Sequence, residues 1–213
     1  MKKYMEKTPL YIRSEDKDGS ILYVVKAVQD FGEQVLDRDF QPAGWPECLP
    51  LSERFVRKDG QMDSDSYRVA LWDLYNRTGN IPIFSAEVVK SKKLILICPP
   101  PRGYTHATSI QHFDMTTREL ITPNKTGIIV SRAGFDPEYD EAHRNAMAYF
   151  LGFHEMGHLA LGNKPCDSSE CVFSHNYDSF PKILEHIVTK KELPVCGLDR
   201  KRLREFKERW SIK

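Results

Sequence analysis

The chain has 213 residues, of which 40% are apolar and 29% charged, a balance that fits a folded globular protein and excludes the disordered and membrane-embedded classes. Thirty-one Lys and Arg against 30 Asp and Glu leave a formal charge of +1, so no global field draws the chain to nucleic acid or to an anionic membrane. The length allows one core, or two joined subdomains sharing a cleft.

The N-terminal lysines are not followed by an apolar run of signal-peptide or membrane-spanning length, which sets a cytoplasmic location as the expectation. A short apolar run at Leu10, Tyr11 and Ile12 precedes a helix expected over Ser20 to Val35. Pro42, Pro46 and Pro50 then predict an irregular stretch. From Ser64 to Tyr75 the apolar spacing is helical, with capping residues in front and Gly79 behind.

The period then changes. Ile81 to Val89 and Leu94 to Cys98 read as strands, Thr108 to Thr117 as an edge strand with polar groups on both faces, and Thr126 to Val130 as a buried strand. The longest helix is expected to open with Asp136 as N-cap and Pro137 at its first position, and to close at Gly162-Asn163. Its apolar stripe is Ala142, Ala146, Tyr149, Phe150, Phe153, Gly157 and Ala160. A loop from Lys164 to Ser179 and helices over Pro181 to Lys191 and Asp199 to Trp210 complete the chain. The basic run from Arg200 to Lys207 is interleaved with Leu203, Phe206 and Trp210 at helical spacing, so it reads as a docked amphipathic helix and not as a nucleic-acid site.

Within the long helix stands His154-Glu155-Met156-Gly157-His158. Histidines four apart share a helix face, so both imidazoles can reach one zinc ion at about 2.0 to 2.1 Å. Glu155 beside them can act as general base toward an activated water, and a purely structural site has no use for that carboxylate. A catalytic zinc needs a third protein ligand. His175, His186, Asp167, Glu170, Asp178 and Glu185 are the downstream candidates, and spacing alone does not choose among them.

Of five cysteines, Cys166 and Cys171 are separated by four residues and Cys196 follows later. In a reducing compartment this pattern favours metal ligation over disulfides. A second, structural zinc held by Cys166, Cys171 and Cys196 would take its fourth ligand from Asp199 or His175. Cys48 and Cys98 read as ordinary thiols.

These motifs resemble the metzincin metallopeptidases, and among them the archaemetzincins, over roughly residues 64 to 203. In that family the zinc helix carries HExxHxxGxxH, followed at once by Cys, four residues, Cys, one residue and Met, with a later CxxC. His154, Glu155, His158, Cys166, Cys171 and Cys196 stand at matching positions. Pro165 precedes the first cysteine where the family has its third histidine, Lys164 stands there when counted strictly from His154, Phe173 occupies the methionine position, and Asp199 replaces the last cysteine.

The resemblance implies an α/β (α+β) fold with a metzincin-like twisted mixed sheet and an active-site helix in residues 1 to 163. Residues 164 to 213 would form a small subdomain of loops and helices. It also implies a zinc-dependent hydrolase of peptide bonds, with a peptide or protein substrate pairing along the edge strand near Ile110 to Met115 and Tyr177 assisting the oxyanion. Two alternatives share the same residues: a zinc peptidase of another clan using Glu185 or His186 as third ligand, and an inactive zinc-stabilised peptide-binding module.

Overall fold

In a computed structural model, which describes residues 5–15, 19–89, 94–96, 103–105, 107–110, 124–135, 137–162, 166–175 and 179–210, the apolar run at Leu10 becomes the middle of a nine-residue strand, β1 (Glu6–Ser14). It pairs in parallel with β2 (Arg38–Gly44) on one side and β4 (Ile83–Val89) on the other. β8 (Lys125–Ser131) continues the parallel set beside β4, and β7 (Ala107–Ile110) closes the sheet antiparallel to β8. The order is therefore β2-β1-β4-β8-β7. A second sheet holds β3 (Met62–Asp63), β5 (Leu94–Leu96) and β6 (Gly103–Thr105).

β2 corrects the expectation of an irregular stretch there. Pro42 lies inside it, which the position at the sheet's edge permits, since an edge strand can spare one backbone donor. Leu94 likewise belongs to the second sheet and does not extend the main one. Residues 97 and 98 of the expected strand, with Cys98, and residues 111 to 117 of the expected edge strand lie outside the described residues.

Alternating side chains send the two faces of the sheet into two cores. Phe84, Ala86, Val88, Ile128 and Val130 join Leu10 and Phe40 beneath α1 (Ser20–Phe31) and α3 (Glu141–Leu161). Ile83, Val89 and Ile129 face α2 (Ser64–Arg77), which contributes Tyr67, Leu71, Leu74 and Tyr75. On this second face Glu87 is buried, and it is matched by the Arg13 guanidinium, by Ser52 Oγ at 2.6 Å and by the Tyr67 hydroxyl at 3.1 Å. A buried carboxylate left without such donors would be strongly destabilising, so this network ties β1, β4 and α2 together.

The helices differ from expectation mainly at their ends. The first ends at Phe31 and continues as a π-helical turn, Gly32–Leu36. The long helix α3 begins later than Pro137 because Asp140, not Asp136, is its N-cap, accepting from the backbone N–H of His143 at 2.8 Å. Ala142 of the expected stripe is exposed, whereas residues 150 to 157 are all buried, so α3 is central and not merely half-covered. Gly152 allows α1 to cross closely, since a Cβ there would meet Ala27 at 3.1 Å and the Val24 backbone at 3.2 Å.

Beyond α3, α4 (Phe180–Lys190) and α5 (Gly197–Trp210) pack onto the same core. Leu203, Phe206 and Trp210 are the face by which α5 docks, and Lys207 Nζ fastens it to the Gln34 carbonyl at 2.9 Å and to Asp37 at 3.0 Å. Cys166, Val172 and Phe173 share that core with α1 and α3, so residues on either side of position 164 are buried together. Among the described residues no helix is long and apolar enough to cross a membrane.

Candidate metal centre

One turn of α3 separates His154 from His158, and their ring centroids stand 5.0 Å apart. The Nδ1 of His154 is engaged by the Val172 carbonyl at 2.7 Å and that of His158 by the Gly162 carbonyl at 2.8 Å. A backbone carbonyl accepts only from N–H, so each ring is oriented with a proton on Nδ1, which leaves Nε2 as the nitrogen that can act as a ligand. Gly162 can present its carbonyl there because it ends the helix at a positive φ of 65°.

The loop that follows α3 brings a third imidazole. Cys166 bridges to Ser174, with the Cys166 N–H on the Phe173 carbonyl at 3.2 Å, while the Val172 N–H is held by the Pro194 carbonyl at 2.7 Å. This folded loop points His175 at the helix. Its ring centroid lies 5.3 Å from that of His154 and 5.4 Å from that of His158, so the three rings form a nearly equilateral triangle. One nitrogen from each falls within 4.8 Å of the others. Three nitrogens at about 2.1 Å from a tetrahedral ion are about 3.4 Å apart, so a modest contraction would make them a zinc site.

The electrostatics suit a cation. Burial pushes the His154 pKa down to about 3, with His158 adding to the shift and the Val172 carbonyl opposing it. Partial shielding and His158 lower His175 as well, although this residue is exposed as a whole. Both rings therefore present a lone pair at neutral pH. Glu155 is buried next to the triangle, and that burial raises its carboxyl above the usual range, against the pull of His158 and of hydrogen bonds from Ser109.

The other candidates for third ligand lie elsewhere. Glu185 faces His143 at 3.4 Å and His186 faces Glu192 at 3.7 Å, both on the exposed side of α4. Asp167 and Glu170 are exposed and do not join the histidine group, while Asp178 and Tyr177, with Lys164 and Pro165, lie outside the described residues. His175 is thus the residue that the sequence left undecided. Ser109, whose hydrogen bonds reach Glu155, carried no sequence signal beyond its place in an edge strand.

A second cluster forms where α5 begins. Cys166 Sγ and Cys196 Sγ are 3.5 Å apart, and Cys171 and Cys196 both donate to Asp199 Oδ2 at 3.3 Å. Tetrahedral thiolate ligands at about 2.3 Å from zinc are about 3.8 Å apart, so this spacing is close to a loaded site. All four ligand atoms lie within 4.8 Å of one another. Burial raises the Cys166 thiol and pushes Cys171 up to about 11. Burial would raise Asp199 too, but hydrogen bonds from the three cysteines and Arg202 hold it below the usual carboxylate range. Asp199, not His175, therefore completes this group, and Cys48 stands apart as an exposed thiol.

A mixed sheet with an antiparallel edge strand, lying over a helix that carries two histidines four apart, is a metzincin-like fold. The chain is similar to the solved structure of archaemetzincin from Methanopyrus kandleri, with a TM-score of 0.60 over 96% of each chain and 17% sequence identity. No family model and no curated protein matches the sequence.

Proposed function

We propose that the chain is a zinc-dependent metallopeptidase in which His154, His158 and His175 hold the catalytic ion and Glu155 is the general base. The observation that carries this reading is the convergence of three imidazoles, two of them oriented by a backbone carbonyl on Nδ1, beside a buried carboxylate. The donor set suits zinc, which takes three nitrogen ligands in catalytic sites and leaves a fourth position open. When bound there, zinc supplies a Lewis acid and acidifies water.

The chain's own groups do the remaining work. Glu155 takes the proton from the attacking water and hands it to the leaving amine, a role that suits a carboxyl raised by burial above the usual carboxylate range. Among the described residues β7 is the last strand of the sheet, and an extended peptide that adds beside it as a further strand would have its scissile bond oriented. In this reading residues 1 to 163 supply the sheet, the base and two ligands, and residues 164 to 213 supply His175 and the cysteine cluster. The latter holds a second, structural zinc on Cys166, Cys171, Cys196 and Asp199, a thiol-rich centre suited to a reducing cytoplasm. The likeness to archaemetzincin supports peptide or protein as the substrate class.

The test is to purify wild type and Glu155→Ala, measure bound zinc, and assay both on a mixture of casein peptides. Wild type should cleave. The variant should keep its metal and lose cleavage by about 10² to 10⁴-fold, the usual contribution of a general base. Equal cleavage by the two proteins would remove Glu155 from the mechanism, and peptide binding without cleavage by wild type would mark a binding module instead.

A further inference from the structure

Docking through Leu203, Phe206 and Trp210 accounts for one face of α5 but not for its basic run. Arg200 and Arg204, four residues apart and so on one face of the helix, line a cavity of about 690 Å³. The cavity is bounded by the end of α1, by α3, by the loop after α4 and by α5. Its depth is apolar: Val35 and Phe153 are buried, and Leu193, Val195 and Leu203 are half-buried beside them. Its mouth is cationic, because Lys191, Arg200 and Arg204 are exposed there. None of the histidines or cysteines of the two candidate metal sites lines it.

The acidic groups of the lining are already engaged. Asp30 takes the Lys26 ammonium on one oxygen and the Tyr149 hydroxyl, at 2.8 Å, on the other, and Glu192 lies 3.7 Å from His186. Lys207 is likewise held by Asp37 and the Gln34 carbonyl. Arg200 commits only its Nε, to the Val195 carbonyl at 2.8 Å, and among the described residues the side chains of Lys191 and Arg204 have no ion pair. Like charges four apart on a helix repel, so Arg200 and Arg204 cost α5 stability unless an anion lies between them. We propose that the cavity binds a small amphipathic anion, a single carboxylate or phosphate group carried on an apolar body of about acyl-chain size. The cavity volume falls within the roughly 300 to 1,000 Å³ of small-molecule sites. The guanidinium groups take the acidic group by charge-assisted hydrogen bonds, and the body displaces water from Val35, Phe153 and Leu203. A bare inorganic anion would leave that apolar depth wet. A polynucleotide needs cations spaced along its backbone, whereas here they gather at one mouth.

A methyl NMR titration of the purified full chain tests the site, with octanoate and octyl phosphate as probes and octylamine and inorganic phosphate as controls. Either anion should shift the methyls of Val35, Leu193, Val195 and Leu203 saturably, with those of Val88 and Val130 in the sheet unmoved, and the tighter of the two names the head group. Arg204→Glu, at an exposed position outside the core, should weaken binding at least about tenfold, the worth of one charge-assisted hydrogen bond, and Lys191→Gln by a smaller factor. Octylamine, an ammonium at neutral pH, and inorganic phosphate should each bind at least about tenfold more weakly than the amphipathic anions. Shifts absent from those cavity methyls, octylamine or inorganic phosphate binding as tightly as the amphipathic anions, or an affinity unaltered in Arg204→Glu overturns the site. Neither peptide cleavage nor bound metal is read, so these outcomes are separate from those that decide the peptidase reading.

Discussion

Phe173 fills the space that any side chain at position 157 would need. A Cβ built on Gly157 runs into three carbons of that ring, the third of them only 3.0 Å away. The same ring lies 6.3 Å from the His154 ring and 6.0 Å from that of Phe153, forming an apolar floor under the histidine site. A glycine in mid-helix costs about 1 kcal/mol relative to alanine, so the helix accepts a local loss in exchange for this close approach.

Gly157→Ala should therefore destabilise the protein despite its better helix propensity, by about 1 to 3 kcal/mol, the typical penalty of overpacking a core. The double variant Gly157→Ala with Phe173→Leu should recover at least half of that loss. Urea unfolding of the two variants and wild type checks this, and a Gly157→Ala protein as stable as wild type would mean that the ring moves aside freely.

The histidine and cysteine clusters are mechanically joined. Val172, whose carbonyl orients His154, and His175 both lie within four residues of Cys171, on a loop pinned by the cysteine group and by the Val172 to Pro194 hydrogen bond. Loosening that loop removes an orienting partner from one ligand and frees another. Cys171→Ser should consequently weaken zinc binding at the histidine site by about 10 to 100-fold, the range seen when groups supporting metal ligands are lost. Competitive chelator titration of the more weakly held ion measures it. Histidine-site affinity that does not change would show the two centres to be independent.

Stability of the metal-free protein should depend on pH through His154. Its folded pKa of about 3 lies below the ordinary histidine value of 6.5, so the unfolded chain binds more protons between those limits. The neutral ring's contribution is fully present above about pH 6.5 and is lost progressively as the pH falls toward 3. Thermal unfolding of the chelator-treated protein should show a falling midpoint across that window, and His154→Phe should flatten the part of the slope that His154 causes. A slope unaltered by the substitution would assign the pH dependence to other groups.

How much of this was legible in the sequence depended on whether a feature is encoded locally. The spacing of His154 and His158, and of Leu203, Phe206 and Trp210, is fixed by helix geometry, and the structure places those residues as the spacing implies. β1 and β2 were not readable as strands because their burial comes from partners far along the chain: β1 is covered on one edge by β4, some seventy residues away. In β2, Pro42 and Gly44 imitate a loop, and only the edge position explains them. Asp136 and Asp140 are equally good caps by composition. The choice falls on Asp140, whose carboxylate also reaches the His143 ring at 2.8 Å. His175 was one of several candidates because the loop that delivers it is shaped by contacts with residues 171, 174 and 194 that no linear spacing records. Asp199 was easier, since it follows Cys196 by three residues on the first turn of α5.

The most direct test is diffraction from zinc-loaded crystals at the zinc absorption edge, comparing wild type with His175→Ala. Wild type should show two anomalous peaks, one about 2.0 to 2.1 Å from nitrogens of His154, His158 and His175 and one among Cys166, Cys171, Cys196 and Asp199, with the first lost or greatly weakened in the variant. A wild-type peak on His154 and His158 whose third protein ligand is some residue other than His175, or no peak at the histidines at all, would contradict the three-histidine site.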